Sequence, residues 1–151
     1  MYRNWFKYIQ NKFLGVDNRA IIFIMILFID TSHNSYLSIK VKKGGQVVKK
    51  RDVPAERRQS EELLDQISII LKELNLNLSE IKGIQVVATG EVFTGLRIGV
   101  ATANTLGYAL GIDLVALDNS GRKRDDLVLK KDGFSIVFPE YNKEPSITEK
   151  K

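Results

Sequence analysis

IQVVATGEVFTGLRIGVATANTLGYALG, residues 84–111, passes from a β-branched run through a glycine-bearing loop into a helical pattern. Ile84–Val87, with Ala88 following, has the composition of a buried strand. Thr89–Phe93 is a tight loop that turns at Gly90. Thr94 has the hydroxyl to cap a helix start, so a helix is expected over 95–110, with Gly111 stopping it. Inside that helix Gly99, Ala103 and Gly107 recur every four residues and share one face. A helical glycine costs about 1 kcal/mol relative to alanine, so this stripe implies a close packing partner. Two partners are open: the chain's own sheet or neighbouring helix, and the helix of another protein.

Working outward, Ile26–Asp30 is strand-like. Tyr36–Lys42 alternates apolar and polar residues, Gly44–Gly45 supplies a hairpin turn, and Gln46–Val53 returns before Pro54. These three strands should form an antiparallel meander. Residues 60–74 place Leu63, Leu64, Ile67, Ile70, Leu71 and Leu74 on one stripe, with Ser60 as the cap, Glu61 and Glu62 near the positive helix end, and Asn75–Asn77 as the stop. Leu114–Leu117 is the last strand of the series. The order β-β-β-α-β-α-β implies an α/β fold, a mixed sheet with helices on its faces. Beyond Asp118 the residues 119–126 are loop-like. Leu127–Lys131, Asp132–Gly133 and Phe134–Phe138 then read as a hairpin, and Pro139–Lys151 as an extended charged tail.

FTGLRIG at Phe93–Gly99, placed between a strand and an alanine- and glycine-rich helix, resembles the signature of the TsaB/YeaZ family. The family loop usually reads GPGSFTGLRIG; this chain has TGEVFTGLRIG. Thr89 stands for the first glycine, Gly90 for the proline, Glu91 for the second glycine and Val92 for the serine. The likeness extends to ILFIDTS at Ile26–Ser32 and covers residues 25 to about 117, so the matched positions are Asp30, Thr31, Ser32, Phe93, Thr94, Gly95, Leu96, Arg97 and Gly99. The resemblance implies an RNase H-like or actin-like ATPase (ASKHA) first lobe over 25–118. In longer relatives a second lobe follows, and 119–151 would be its reduced form; PEYNKEP at 139–145 is similar to their proline-tyrosine-basic ending.

The function implied is that of a non-catalytic subunit in threonylcarbamoylation of tRNA adenosine 37. It would be cytoplasmic and pair with a TsaD-like catalytic subunit. A TsaE-like ATPase would join, and tRNA would be met through the complex. No cofactor is expected on this chain alone; ATP or ADP and metal would belong to the assembled complex. The family's dimerisation surface uses the two helices, which nominates Leu63, Ile67, Ile70, Leu74, Gly99, Ala103 and Gly107 as partner-facing. On that reading Ala103→Leu should leave a folded monomer with impaired TsaD binding. Two alternatives stand beside it: a magnesium-dependent ATPase or nuclease using Asp30, Glu91 and Asp118, and a self-associating homodimer.

Charge is distributed unevenly along the 151 residues. The net +5 divides into +3 over 1–24, zero over 25–121 and +2 over 122–151. The neutral centre weakens any case for direct nucleic-acid binding by net charge. There is no cysteine, which excludes disulfide and thiolate chemistry. The apolar run Ala20–Ile29 follows basic residues as in a signal peptide, but Asp30 follows it in place of a cleavage site. It is also shorter than the ~20 residues a membrane span requires, and no membrane association is expected. Met25 is the expected natural start, with 1–24 an extension. Trp5, Phe6, Tyr8, Ile9 and Phe13 could make that extension an amphipathic helix.

Candidate chemistry is sparse. Asp30 ends the first strand, where a carboxylate either holds metal or caps its own turn with Thr31 and Ser32. Glu91 would repel a phosphate from the loop at the helix start. His33 is the only histidine, so it cannot supply a metal-binding pair and has no partner identifiable from sequence. Arg97 could hold a carboxylate at an interface or form an ordinary surface ion pair.

Overall fold

In the computed structural model, which describes residues 24–144, the chain builds β1 (Met25–Asp30), β2 (Tyr36–Lys43), β3 (Gln46–Pro54), α1 (Gln59–Glu73) and β4 (Ile81–Val87). Then follow β5 (Thr89–Gly90), α2 (Phe93–Leu110), β6 (Asp113–Leu117), β7 (Val128–Lys131), β8 (Phe134–Val137) and β9 (Glu140–Tyr141). The main sheet has the order β3-β2-β1-β4-β6. The β1–β2 and β2–β3 pairs are antiparallel, and β1–β4 and β4–β6 are parallel. This is the meander followed by two crossovers that the sequence order implies, the order expected of an RNase H-like or actin-like first lobe. The N-terminal extension and its aromatic residues lie outside the described residues, as do the last residues of the tail.

One core lies between the sheet and the two helices. Leu27 and Ile29 of β1, Leu37, Ile39 and Val41 of β2, and Ile84 and Val86 of β4 point into it. They meet Leu63, Ile67, Ile70 and Leu71 of α1 and Val100 and Ala103 of α2. The period-2 alternation of β2 sends Lys40 and Lys42 to the opposite face, beside Phe28, Val87, Val115 and Leu117.

Turn chemistry follows the sequence. Gly44 and Gly45 both take positive φ, 57° and 86°, and Asp132 and Gly133 take 51° and 82°, the geometry of two-residue hairpins. Gly111 closes α2 at φ 62°, where the Ile112 amide donates to Gly107 O at 3.0 Å.

The helix starts differ from expectation. Thr94 does not cap α2: Val92 is the cap residue, the helix begins at Phe93, and the Leu96 amide donates to Val92 O at 3.0 Å. Ser60 likewise lies inside α1, which begins at Gln59. The Gln59 amide nitrogen reaches His33 O and Asn34 O, both at 3.3 Å, and this tie to the loop after β1 fixes the helix start. Strand β4 begins three residues before Ile84, because Ile81 and Gly83 pair with Met25 and Ile26 of β1.

The nominated partner face is corrected by the packing. Leu63, Ile67, Ile70 and Ala103 are at most 3% exposed, Gly99 and Gly107 are buried, and Leu74 packs at the core's margin. A Cβ built on Gly107 would lie 2.7 Å from a Leu114 methyl group, and one on Gly99 would overlap the Thr31 hydroxyl. The small-residue stripe therefore serves the chain's own sheet, and a leucine at 103 would overpack the core. The hairpin β7–β8 packs on α2 and β6, and Val137 joins the same core. The Asn104 side chain fixes it by accepting from the Val137 amide at 2.8 Å and donating to Val137 O at 2.9 Å.

Candidate functional site

The carboxyl ends of three parallel strands, β1, β4 and β6, converge at one edge of the sheet, the place where open α/β sheets commonly bind ligands. Each strand exit is organised locally. Asp30 Oδ1 accepts from the Ser32 amide at 2.9 Å and the Ser32 hydroxyl at 2.6 Å. Asp118 Oδ1 repeats the pattern with Ser120, at 2.9 and 2.7 Å. Both are Asp-x-Ser turns, in which a carboxylate replaces the backbone acceptor lost at the strand end. Asp118 also accepts from the Arg122 amide at 2.9 Å and from Arg122 Nε at 3.0 Å. Its carboxyl is held down at about 2, chiefly by the Ser120 hydroxyl, with the Arg122 donors adding and burial opposing.

His33 does have a partner. Its Nε2 lies 3.3 Å from Asp30 Oδ2, and its ring stacks on Tyr36 at 4.3 Å. The i,i+3 spacing across the turn brings the pair together, a signal present in the sequence but not specific enough to name it. Asp30 and Asp118 line one cavity, whereas Glu91 points to Lys143 at 3.6 Å in an exposed pair. The three-carboxylate arrangement of the nuclease or ATPase alternative is therefore not formed. No cluster of three histidine, aspartate or glutamate side chains suited to a metal ion occurs among the described residues.

The two family motifs meet each other. Thr31, fully buried, donates from Oγ1 to Gly95 O at 2.7 Å. A Cβ on Gly95 would stand 2.6 Å from Thr31 O. Gly95, Leu96 and Gly99 thus form the packed side of the α2 start, while Phe93, Thr94 and Arg97 face outward. Arg97 rests over the Phe93 ring, 5.6 Å from its centroid.

The loop before α2 is closed over. Glu140 N donates to Ala88 O at 2.8 Å and Asn142 N to Gly90 O at 3.0 Å, pairing β9 with β5 in parallel. Tyr141 stacks on Phe93 at 4.0 Å, and Arg124 holds Glu140 at 2.7 Å. Gly90 itself is buried, with 3.3 Å between its would-be Cβ and Ser32 Cβ. A loop packed against the turn after β1 and strapped by the tail, with the exposed Glu91 following Gly90, does not fit a phosphate. The tail strand was not foreseen from sequence; Tyr141 in PEYNKEP is the residue that could have suggested it.

Comparison with known proteins adds the lineage. Residues 33–120 match the family model of TsaD, tRNA N6-adenosine threonylcarbamoyltransferase. A search of the curated proteins gave no match. Among solved structures, YeaZ from Pseudomonas aeruginosa is similar at 23% identity and a TM-score of 0.55, over 64% of this chain and 43% of that one. A Pseudomonas aeruginosa structure described as an uncharacterized protein with similarity to peptidase YeaZ gives 18% identity and a TM-score of 0.55, over 78% of this chain and 65% of that one. The chain thus spans less than two thirds of either relative's length. With more than half its length matched by that family model, and with the fold of the YeaZ structures, the chain belongs to the TsaD family of tRNA N6-adenosine threonylcarbamoyltransferases.

Proposed function

We propose that this chain is a non-catalytic, TsaB-like subunit of the machinery that makes threonylcarbamoyladenosine at position 37 of tRNA. It pairs with a TsaD-like catalytic subunit through the outward faces of α1 and α2. The observation that carries this reading is on those faces. Leu64 of α1 is 56% exposed and Tyr108 of α2 is 67% exposed. Arg97, Ala101, Thr105 and Tyr108 form an exposed row along α2 at helical spacing, with small side chains at its middle. A row of that kind lets a second helix approach closely. The single histidine of the chain cannot supply a histidine pair for a metal, which supports a non-catalytic role. Nucleotide and metal then belong to the assembled complex, tRNA is met through it, and a TsaE-like ATPase joins it.

The test is titration of the chain with its cognate TsaD-like subunit at micromolar concentration. Leu64→Asp and Ala101→Arg each should weaken association at least tenfold with the thermal melt unchanged. Asp30→Asn should still support threonylcarbamoylation by the complex. Full binding by both surface variants, or a self-associating chain that ignores TsaD, would remove this reading.

A further inference from the structure

The parallel strands β1, β4 and β6 barely alternate: residues 26–29, 84–88 and 114–117 are apolar apart from Gln85. Strands of that kind are covered on both faces. Helices α1 and α2 cover one face, the side of Leu27, Ile29, Ile84 and Val86. Ile26, one residue out of step, lies on the other face and pairs in register with Lys42. There Ile26 is 1% exposed, and the polar Lys42 and Gln85 are 6% exposed each. Among the described residues, the space above that face is lined by the sheet's own side chains and by the loop 118–123. That loop stands at the exit of β6, at the other end of the parallel strands from Ile26. A fully buried side chain touches about 6–12 other residues, so a further layer of protein is needed over Ile26, Lys42 and Gln85.

We infer that this layer is the chain's own N-terminal segment, residues 1–23, docked across the face of the sheet opposite α1 and α2. The segment enters the sheet beside Ile26, at Ile24, whose carbonyl accepts from the Gly44 amide at 3.2 Å. Its sequence has one apolar side at helical spacing. Trp5, Ile9 and Phe13 recur every four residues with Tyr2 and Phe6 next to them, while Asn4, Lys7 and Asn11 share the other side. Gly15, Asp17 and Asn18 supply a turn through which the chain reverses before β1. A helix over 2–14 would be about 20 Å long, and five strands about 4.8 Å apart span about the same distance. On this reading residues 1–23 complete the sheet's second face and are not a dispensable extension. The face lies opposite the helix surfaces proposed for the partner subunit, and the inference does not depend on that proposal.

Trp5 is the only tryptophan and the chain has no cysteine, so one reporter and one introduced thiol are unambiguous. In the whole chain, without lipid, Trp5 should emit at shorter wavelength than in urea, and acrylamide should quench it at least threefold less. A nitroxide on Lys40→Cys should quench Trp5, whereas one on Asp65→Cys, on the exposed side of α1, should not. Phe13→Asp should restore acrylamide quenching with far-UV circular dichroism largely retained, and Lys7→Glu should not. Native Trp5 as accessible as in urea would overturn the assignment and leave the segment for a membrane or another protein. Equal quenching from both nitroxides would overturn it as well. So would quenching of Trp5 only when unlabelled chains are mixed with nitroxide-labelled chains carrying Lys40→Cys and Trp5→Phe, since the cover would then come from a second copy.

Discussion

Thr31 and Gly99 explain each other. Thr31 leaves β1 fully buried and spends its hydroxyl on Gly95 O, inside the first turn of α2. That approach is possible because position 99, one turn on, has no side chain. On a free helix, Gly99→Ala would stabilise by about 1 kcal/mol. Here the added methyl group enters the space of the Thr31 hydroxyl, which is pinned by its hydrogen bond. Overpacking of about 1–3 kcal/mol should win, and the variant should be the less stable protein in urea denaturation. Thr31→Val keeps the shape and loses only the hydrogen bond, at about 0.5–1.5 kcal/mol. If Gly99→Ala instead melts at higher denaturant than the parent, the close contact is not what requires glycine there. The periodicity of Gly99, Ala103 and Gly107 made close packing legible in the sequence. It did not reveal what packs there, because spacing fixes a common face but not the helix's rotation about its axis. The small residues meet Thr31 and Leu114, and the outward row falls one step around, on Arg97, Ala101 and Thr105.

Strand β9 has only two residues and pairs with an equally short partner, yet it closes the loop from which α2 starts. Two backbone hydrogen bonds, the Tyr141–Phe93 stack and the Arg124–Glu140 ion pair hold it. The ion pair is on the surface and contributes little by itself; the aromatic pair is worth about 0.5–1.5 kcal/mol. Tyr141→Ala should therefore lower stability by about 1 kcal/mol. It should also speed amide hydrogen exchange at Thr89–Leu96 while leaving α1 unchanged. Uniform exchange changes across both helices, or none at the loop, would show that the strap does not brace α2. Elements with local signals were readable in the sequence: Gly44–Gly45 and Asp132–Gly133 set their hairpins, and Gly111 ended its helix. Strand β9 had no turn or cap signal of that kind, only the aromatic Tyr141. Its pairing joins residues some fifty apart, and a two-residue strand carries no periodicity to detect.

The molecule has two unlike sides, and its pH response should come from the less covered one. Both helices shield one face of the sheet, whereas the other holds Lys42 among Phe28, Gln85 and Lys40. Burial, and secondarily the charge of Lys40, push the Lys42 ammonium down to about 8 from 10.5. Below about pH 8 both folded and unfolded chains hold this proton, and the folded state carries the full cost of a buried charge. Between about pH 8 and 10.5 the unfolded chain still holds the proton that the folded chain has released. Stability from this group therefore rises with pH across that window. Lys50, raised by its hydrogen bond and ion pair with Asp52, works in the opposite direction, so the parent protein alone gives a mixed profile. The difference between parent and Lys42→Met isolates the buried group together with its coupling to Lys40, because the titrations away from this pair are common to both. At pH 7 the methionine variant should be more stable by about 1–2 kcal/mol, the relief of the buried charge less the lost Gln85 hydrogen bond. By pH 10 that advantage should have shrunk, since the parent's Lys42 is then neutral when folded. Urea midpoints at the two pH values measure both effects. A variant less stable than the parent at pH 7 would mean that the hydrogen bond to Gln85 and the contact with Phe28 outweigh the cost of burying the charge.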